Sequence, residues 1–422
     1  MKKYDEYKDS GVAWIGEVPK HWEVIKLKYK YHFQTGATPN TGKKENFEGD
    51  LRWANISDLN GSVVYDTTKH INKEAASKCS MNISPKGSLM YSFKLSVGTV
   101  AFCGEDMYTN EAIASFIPQK NDLKYLFYCA PIFIIHNANR NIYNAPLLNQ
   151  ELIKNALICL PSLNEQTAIA TYLDTHCAKI DNLISIQQKR IALLQELKQS
   201  VITHAVTKGL NPNVEMKQSG VEWIGDVPKH WKVLRGKYAL SILSGFPFDS
   251  QKFEFEDNGV YMPLIRIRDI NGSSTEVYYS GSYPIESVVK TGEVLIGMDG
   301  DFNISKWKGT NALLNQRVCK LREDSSMNTH YAFYMLSSPL KAINSVTYAT
   351  TVKHLSVYDI YNAFIPVPPI SEQAAIASYL DHKCATIDAS ISNAQHQIEL
   401  LQEYKQSLIT EVVTGKRKVT EN

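Results

Sequence analysis

Apolar residues recur at alternating steps of four and three along two long stretches of the chain. The first seam is Ile180, Ile184, Gln187, Ile191, Leu194, Lys198, Val201 and Ala205, and the second is Ile387, Ile391, Ala394, Ile398, Leu401, Lys405, Leu408 and Val412. This is the heptad pattern of helices that pack along a narrow seam. We expect the two helices to pair as an antiparallel coiled-coil spacer, with Gln187, Lys198 and Lys405 fixing the register; two separate amphipathic core helices are the alternative.

The two stretches are copies of each other. Pro161–Thr207 and Pro368–Thr414 share 28 of 47 residues at a constant offset of 207. Each begins with proline and a polar residue suited to cap a helix, Asn164 or Ser371, followed by Glu-Gln in the first turn. A short apolar stripe and an Asp-rich break come next, so the long helix is predicted to begin at Ile180 and to run about 42 Å.

A second repeat precedes each half of the chain. The first Trp segment, Ser10–Val24, and the second Trp segment, Ser219–Val233, match at 12 of 15 positions. Their tryptophans flank a Val-Pro turn, so the indoles are expected to dock into a groove, while His21 and His230 are interpreted as scaffold residues rather than metal ligands. The chain is therefore a tandem duplication, with predicted boundaries at 1–24 (Trp segment), 25–160 (domain 1), 161–209 (central spacer), 210–233 (Trp segment), 234–367 (domain 2) and 368–422 (C-terminal spacer and tail).

The two blocks between the repeats have the pattern of mixed α/β domains. Short apolar runs bounded by Gly and Asn predict strands at Ser88–Ser92, Thr99–Phe102, Ala112–Ile117 and Glu293–Gly297, and helices are predicted at Asp122–Ala130 and Thr329–Leu336. The fold class is therefore α+β: two mixed α/β domains in tandem, each followed by a long helix, with pseudo-two-fold symmetry. Short words such as Asp-Leu-Asn-Gly and Asp-Ile-Asn-Gly recur in both blocks, but the rest differs, which suggests two binding domains with unlike ligands.

Composition narrows the class of protein. The charged fraction is 21%, the net charge is +2, and the seven cysteines include no C-x-x-C pair. These values are typical of a globular protein with reduced thiols in a cytoplasmic compartment, and they argue against a zinc site. We see neither an apolar run long enough for a membrane span nor a secretory signal.

Each half of the chain has four parts in the same order: Trp-Ile-Gly-x-Val-Pro-x-His-Trp, a variable block, Pro-x-x-x-Glu-Gln-x-x-Ile-x-x-Tyr-Leu-Asp and a long helix. This duplicated order resembles the specificity subunit of type I restriction-modification systems. The resemblance covers essentially the whole chain. It implies two target-recognition domains that each bind one half of a split DNA sequence. It also implies helices that set the gap and dock two modification (methyltransferase) subunits, which restriction (motor and nuclease) subunits then join.

The chain has neither a phosphate-loop motif nor an Asn/Asp-Pro-Pro-aromatic motif, so it is predicted to be non-catalytic. The resemblance implies that S-adenosylmethionine, ATP and Mg are bound by the partner subunits. A scaffold that pairs other proteins without binding DNA is the alternative function.

Basic and amide side chains are the candidates for contact with double-stranded DNA, because they bind phosphates and base edges. In the first block they are Lys43, Lys44, Arg52, Asn55, Lys94, Arg140, Asn141, Tyr143 and Asn144; in the second they are Arg266, Arg268, Lys306, Lys308, Gln316, Arg317, Tyr348, Lys353 and His354. Arg266 and Arg268 are expected to alternate along a strand, on a face that either binds DNA or is merely solvated. Asp58 and Asp269 are expected to cap turns, and Trp307 either stacks on DNA or packs in the core.

Overall fold

The computed structural model describes residues 3–118, 122–347 and 353–419, and it divides into two compact units. The first unit comprises Met1–Gln187 and His396–Asn422, and the second comprises Gln188–Gln395. These boundaries cut both long helices, so each unit contains one half of each helix together with one of the two mixed domains.

The first unit contains fourteen strands within its described residues. They are β1 (Tyr7–Asp9), β2 (Glu17–Pro19), β3 (Glu23–Lys26), β4 (Phe33–Thr35), β5 (Leu51–Ala54), β6 (Val63–Val64), β7 (Lys69–Ile71), β8 (Leu89–Ser92), β9 (Val100–Cys103), β10 (Tyr108–Thr109), β11 (Ile113–Phe116), β12 (Asn139–Arg140), β13 (Pro146–Leu147) and β14 (Leu157–Leu160). Its helices are α1 (Lys73–Lys78), α2 (Leu123–His136), α3 (Gln150–Asn155) and the beginning of α4 (Leu163–Lys208). A five-stranded sheet has the order β4-β11-β8-β9-β6, and a three-stranded sheet has the order β10-β5-β7.

The second unit repeats this plan. Its strands are β15 (Met216–Gln218), β16 (Asp226–Pro228), β17 (Lys232–Arg235), β18 (Ser241–Ser244), β19 (Phe253–Glu254), β20 (Met262–Ile265), β21 (Tyr278–Tyr279), β22 (Val288–Val289), β23 (Val294–Gly297), β24 (Ile304–Lys306), β25 (Ala312–Leu314), β26 (Val318–Arg322) and β27 (Phe364–Val367). Its helices are α5 (Thr329–Val346), α6 (Val357–Asn362) and the beginning of α7 (Ile370–Val413). The sheet order β18-β26-β23-β24 matches β4-β11-β8-β9, so the mixed α/β expectation is confirmed for both domains.

The two long helices pair within each unit. In the first unit the apolar cluster includes Leu173 and Ile180 of α4 with Leu408 and Val412 of α7, and in the second it includes residues 202, 205 and 206 of α4 with residues 376, 380 and 384 of α7. The early part of one helix therefore packs on the late part of the other, which confirms an antiparallel pair in each unit.

The lysines within the seam hold this register. Lys198 Nζ lies 2.7 Å from an Asp388 carboxylate oxygen in the second unit, and Lys405 Nζ lies 2.7 Å from the equivalent Asp181 in the first. Each lysine thus extends from the seam of one helix to an aspartate on the other. Charged positions within an apolar seam favour one alignment of the helices over its slipped alternatives.

The predicted break before the long helices was wrong. Helix α4 is continuous over 46 residues, or about 69 Å, and α7 over 44 residues, or about 66 Å. Cys177 and Cys384 are buried at the seam position between the short and long stripes, so the alternation of four and three continues without interruption. Because cysteine in a buried seam acts as a small apolar residue, the aspartates beside it lie on other helix faces and break nothing.

The expected caps at Asn164 and Ser371 were also wrong, because both helices begin earlier. The main-chain N–H of Gln166 donates to the Ser162 carbonyl, and the equivalent N–H of Gln373 donates to the Pro369 carbonyl. The side-chain amides of the two glutamines donate to the carbonyls of Pro161 and Pro368, both at 2.9 Å. The Pro-x-x-x-Glu-Gln motif is therefore a structural motif that joins the preceding strand to the helix.

Two shorter helices extend beyond their expected ends. Helices α2 and α5 were expected to stop before Pro131 and Pro339, yet both prolines lie inside the helices. Most of α2 is buried, and the packing of its apolar side chains outweighs the hydrogen bond that proline removes. Among the described residues, every helix is too short or too polar to cross a lipid bilayer.

Each Trp segment binds the beginning of one long helix and the end of the other. In the first unit, Glu165 near the beginning of α4 accepts from Tyr4 Oη at 2.7 Å and lies 3.0 Å from His21 Nε2. The hydroxyl of Tyr7 donates to the carbonyl of Gly415, which follows the end of α7. The scaffold role predicted for His21 is consistent with this contact.

The second Trp segment makes the corresponding contacts in its own unit. Glu372 near the beginning of α7 lies 2.7 Å from His230 Nε2 and accepts from Trp231 Nε1 at 2.9 Å. Lys208, the last residue of α4, donates to the Asp226 carbonyl within the same segment. Trp22 and Trp231 are both completely buried, as expected for docked indoles, whereas Trp14 is 37% exposed and Trp223 is partly exposed, so the expectation holds for one indole of each pair. We call these two arrangements the helix clamps.

Candidate nucleic-acid interface

A hairpin beside the five-stranded sheet carries four of the candidates in the first unit. Strands β12 and β13 pair antiparallel, with Asn139 opposite Leu147 and Arg140 opposite Pro146. The hairpin follows α2 and precedes α3, where Gln150 Nε2 donates to Thr35 Oγ1 at the end of edge strand β4. The segment is a short two-stranded ribbon, a shape that fits the major groove of DNA.

Lys94 lies on a separate loop between β8 and β9. Its Nζ is 3.8 Å from Glu111, a long ion pair between two exposed side chains. Glu111 also accepts from the hydroxyl of Thr38, and this hydrogen bond lowers the pKa of the Glu111 carboxyl group. The positive charge of Lys94 is therefore partly compensated, and the side chain remains accessible.

A basic groove lies beside the three-stranded sheet. Lys44, Lys69 and His70 line this groove of about 430 Å³, together with one acidic residue, Glu48. Arg52 Nε and His70 Nε2 both lie near Asp66, at 3.4 and 3.0 Å. Sequence analysis identified Lys44 and Arg52 but missed Lys69 and His70, although the two follow each other along a short strand.

Asn55 and Asp58 together cap a short 3-10 turn. The Asn55 side chain accepts from the N–H of Ser57, and Asp58 accepts from the N–H of Asn55 at 2.9 Å. The capping role predicted for Asp58 is confirmed, and Asn55 shares it. Lys43, the residue before Lys44, is exposed.

In the second unit several candidates converge on Asp299. His354 Nδ1 lies 2.6 Å and Arg317 Nε lies 3.7 Å from its carboxylate oxygens. Lys353 Nζ donates to the Asn344 carbonyl at 2.6 Å, which holds the same segment against the end of α5. Gln316 is exposed beside Arg317. Tyr348 lies outside the described residues.

Arg266 and Arg268 do not lie on a strand, because β20 ends at Ile265 and a turn follows. The expectation of alternation along a strand was wrong. Both guanidinium groups nevertheless converge on Glu276, each at 3.1 Å. Asp269 accepts from the main-chain N–H of Arg266 at 2.8 Å, which confirms its predicted role in the turn.

Lys306 and Lys308 have different surroundings although they are two residues apart. Lys306 Nζ lies 2.8 Å from Asp381 and over the ring of Phe333, whereas Lys308 is exposed. Trp307 between them is buried and donates its Nε1–H to the Thr310 carbonyl at 2.7 Å, so it packs in the core. The geometry therefore favours Lys308 over Lys306 for contact with an external ligand.

Comparison with known families gives one match that covers most of the chain. The model described as "Type I restriction modification DNA specificity domain" matches residues 19–196 and again residues 229–400. The two matches follow the duplication seen in the sequence.

Individual relatives agree with the family match. The chain is 34% identical to the type I restriction enzyme EcoBI specificity subunit of Escherichia coli over 203 residues, which is 48% of this chain and 42% of that protein. It is 27% identical to the MjaIX specificity subunit of Methanocaldococcus jannaschii over 431 residues, which is 96% of each protein. The chain thus spans less than half of the first relative and nearly all of the second.

Solved structures show the same fold. One match is a chain of the solved structure titled "Structural basis underlying complex assembly and conformational transition of the type I R-M system". Its TM-score is 0.74 at 15% identity, over 94% of this chain and 98% of that one. The crystal structure of the HsdS subunit from Thermoanaerobacter tengcongensis matches with a TM-score of 0.52 and 17% identity, over 95% and 98% of the two chains.

Proposed function

The chain belongs to the family of type I restriction-modification DNA specificity subunits, and from this premise we propose that each of its two units binds one half of a split, asymmetric DNA target. As a specificity subunit, the chain recognises a target sequence within a larger complex whose other subunits carry out the catalysis. Its own contribution is therefore to select the site.

The observation that carries the proposal is one sheet framework with two different surfaces. The strand order β4-β11-β8-β9 of the first domain recurs as β18-β26-β23-β24 in the second, yet the first presents a ribbon around Arg140 and the described residues of the second present a cluster around Asp299. Helices and clamps that are nearly identical perform one mechanical role twice. Surfaces that differ on a shared four-strand framework favour two different base sequences over two copies of one sequence.

Most candidates already make some internal contact. Asn55, Arg266, Lys306 and Lys353 are only partly exposed and use their side chains in internal hydrogen bonds or ion pairs, and we propose structural roles for them. We propose DNA contact for the remaining candidates, with Lys69 and His70 added from the basic groove: Lys43, Lys44, Arg52, Lys94, Arg140, Asn141, Tyr143, Asn144, Arg268, Lys308, Gln316, Arg317, Tyr348 and His354. Lysine and arginine supply contacts to phosphates, whereas amides supply contacts to base edges.

The paired helices then set the distance between the half-sites. We propose that the duplicated helical surfaces dock two modification subunits, that restriction subunits join through them, and that S-adenosylmethionine, ATP and Mg are bound by those partners. Each of the two units offers the same kind of helical surface, and this supports two copies of the modification subunit. These assignments agree with a chain that lacks the motifs for phosphate binding and methyl transfer.

Methylation mapping tests the proposal. DNA from cells that contain this chain and its modification subunit is compared with DNA from a strain lacking the chain, and a two-part motif with a fixed gap is expected only in the first. Replacing residues 234–367 with the block of a relative should then change one half of the motif and leave the other unchanged. If no motif depends on the chain while the modification subunit is active, the chain is a scaffold without DNA recognition.

A further inference from the structure

The tip of the β12–β13 hairpin exposes two large apolar side chains. Ile142 is 91% exposed and Tyr143 is 83% exposed, more than any other large hydrophobic side chain among the described residues. Exposing such a large part of an apolar side chain to water costs free energy relative to burying it. Such side chains at the extreme end of a ribbon are typical of a surface that is covered when a ligand binds.

The tip is held in one conformation by its own side chains. Asn141 Oδ1 accepts from the main-chain N–H groups of Tyr143 and Ala145, both at 2.9 Å. Arg140 Nη1 donates to the Asn144 carbonyl at 3.0 Å, and Asn144 adopts a left-handed φ of +60°. Because these bonds form without a ligand, little conformational entropy is lost when the tip binds one.

The surrounding chemistry favours a polyanion over a protein surface. Residues 123–150, which include the hairpin and the helix before it, contain neither aspartate nor glutamate. The exposed polar groups next to the tip are the guanidinium of Arg140 and the amides of Asn139 and Asn144. Guanidinium and amide groups beside an apolar tip are the combination that proteins use to hold DNA while a side chain enters between base pairs.

We propose that Ile142 and Tyr143 form a wedge that enters a base step in the half-site bound by the first unit and partly unstacks it. This inference rests on the proposed function, because it assigns the hairpin to the DNA surface of that unit. Insertion of an apolar side chain kinks the duplex at the step, and the cost of kinking depends on the sequence. The wedge therefore gives selectivity for a deformable step without hydrogen bonds to its base edges.

The test uses the full chain in complex with its modification subunit and a duplex that carries the mapped motif. 2-Aminopurine is placed at successive positions of each half-site, and its fluorescence reports local unstacking. Binding of the native protein should raise the signal at one step of one half-site, apart from the bases that the modification subunits themselves extrude for methylation. The double variant I142S/Y143S should abolish that rise and weaken binding by about tenfold, or roughly 1.4 kcal/mol.

Two matched variants show whether the apolar side chains of the hairpin tip cause the fluorescence rise. Tyr65→Ser removes another exposed tyrosine of the first unit, 66% exposed and away from the hairpin, and should leave both readouts unchanged. Tyr143→Phe keeps the ring and should retain the fluorescence rise. A duplex with a mismatch at the affected step already has weakened stacking, so it should bind the native protein more tightly and give the double variant no gain.

The possible outcomes separate the wedge from its alternatives. The wedge is overturned if the protein binds its motif without a rise in 2-aminopurine fluorescence at any one step. It is also overturned if the native protein and the double variant bind the motif with equal affinity. Both outcomes leave the proposed function intact. Loss of the modification subunit from the double variant, with DNA binding retained, would make the tip a protein-docking surface and overturns the wedge as well. Absence of sequence-specific binding by the native complex contradicts the proposed function itself.

Discussion

Lys306 of β24 and Asp381 of α7 form an ion pair of 2.8 Å that joins the sheet of the second unit to its long helix. The first unit has Phe102 in the place of Lys306, because Phe102 pairs with Leu89 as Lys306 pairs with Val294. Phe102 stacks on Phe127 with a centroid distance of 5.5 Å. The side chain at this strand position therefore pairs with the long helix in the second unit and stacks on the shorter helix α2 in the first.

Lys306→Met should lower the free energy of unfolding of the second unit by about 1 kcal/mol, since both partners are partly exposed and solvent screens the pair. Burial raises the pKa of Asp381, but hydrogen bonds from Lys306 and Tyr334 and the charge of Lys306 outweigh it, so the pKa lies below its usual value. A lowered folded-state pKa means that the stabilisation is present above the ordinary carboxyl pKa and is lost as pH falls through the folded value.

Urea denaturation at pH 7 and at pH values below about 4 measures this effect, because that is the range in which an aspartate with a lowered pKa becomes protonated. The variant should lose stability at neutral pH and differ less from the native protein in acid. Lys308→Met, which changes the exposed lysine two residues away, is the control and should have little effect. An equal loss for both lysines would contradict an effect of the ion pair.

Lys320 and Glu293 form a second ion pair, at 3.0 Å, whose lysine side chain is only 10% exposed. The first unit has Ser115 and Ser88 at these positions, and both serine hydroxyls are buried without a hydrogen-bond partner in the described structure. Lys320→Ser should destabilise the second unit by about 3 kcal/mol, because it removes the ion-pair partner of a partly buried carboxylate. The double variant E293S/K320S, which copies the first unit, should lose less than the sum of the two single changes.

A double-mutant cycle measured by chemical denaturation gives the coupling energy between the two residues. If the losses of unfolding free energy caused by the two single substitutions add up to the loss in the double variant, the ion pair contributes nothing beyond its separate side chains. Ser88→Ala in the first unit serves as the reference for removing a buried polar group without a partner, and it should be neutral or slightly stabilising.

The helix clamp of the first unit depends on Gly415 at the end of α7. Its φ is +72°, and an added Cβ atom would lie 2.2 Å from the ring of Pro19. Gly415→Ala should lower the free energy of unfolding by about 1–2 kcal/mol for the backbone conformation and by a further 1–3 kcal/mol for the steric clash.

Gly11→Ala is the matched control, because Gly11 has the same φ of +72° and open space where its Cβ would be. The difference in thermal denaturation between the two variants isolates the packing of the clamp. If both lose the same stability, Pro19 moves aside without cost and the clamp does not constrain the helix end.

The sequence predicts the duplication, the paired helices and most central strands, because these depend on periodicity and repetition that are local to the chain. It does not predict the continuity of α4, since whether Cys177 faces the seam depends on a partner helix more than 200 residues away. It also does not predict that Lys306 faces Asp381 while Lys308 faces solvent, because this is decided by tertiary packing around a strand end. Local patterns thus locate the surface, and packing decides which side chains on it remain free.

The proposed spacing role of the helices is tested by a heptad insertion placed to preserve their packing. The ion pairs Asp181–Lys405 and Lys198–Asp388 define positions along both helices. The point midway between them falls after Lys189 in α4 and after His396 in α7. Seven residues inserted at both points restore the heptad phase and lengthen the helices by about 10.5 Å, the rise of roughly three base pairs.

We expect the gap of the recognised motif to increase by about three base pairs while both half-sites keep their sequences. Methylation mapping of cells that contain the lengthened chain measures the gap directly. Insertion into α4 alone is the control, and it should abolish the motif, because it lengthens one helix only, so that the two lysine–aspartate pairs cannot form at the same time. A lengthened chain that still methylates the original motif would mean that the helices do not set the distance between the half-sites.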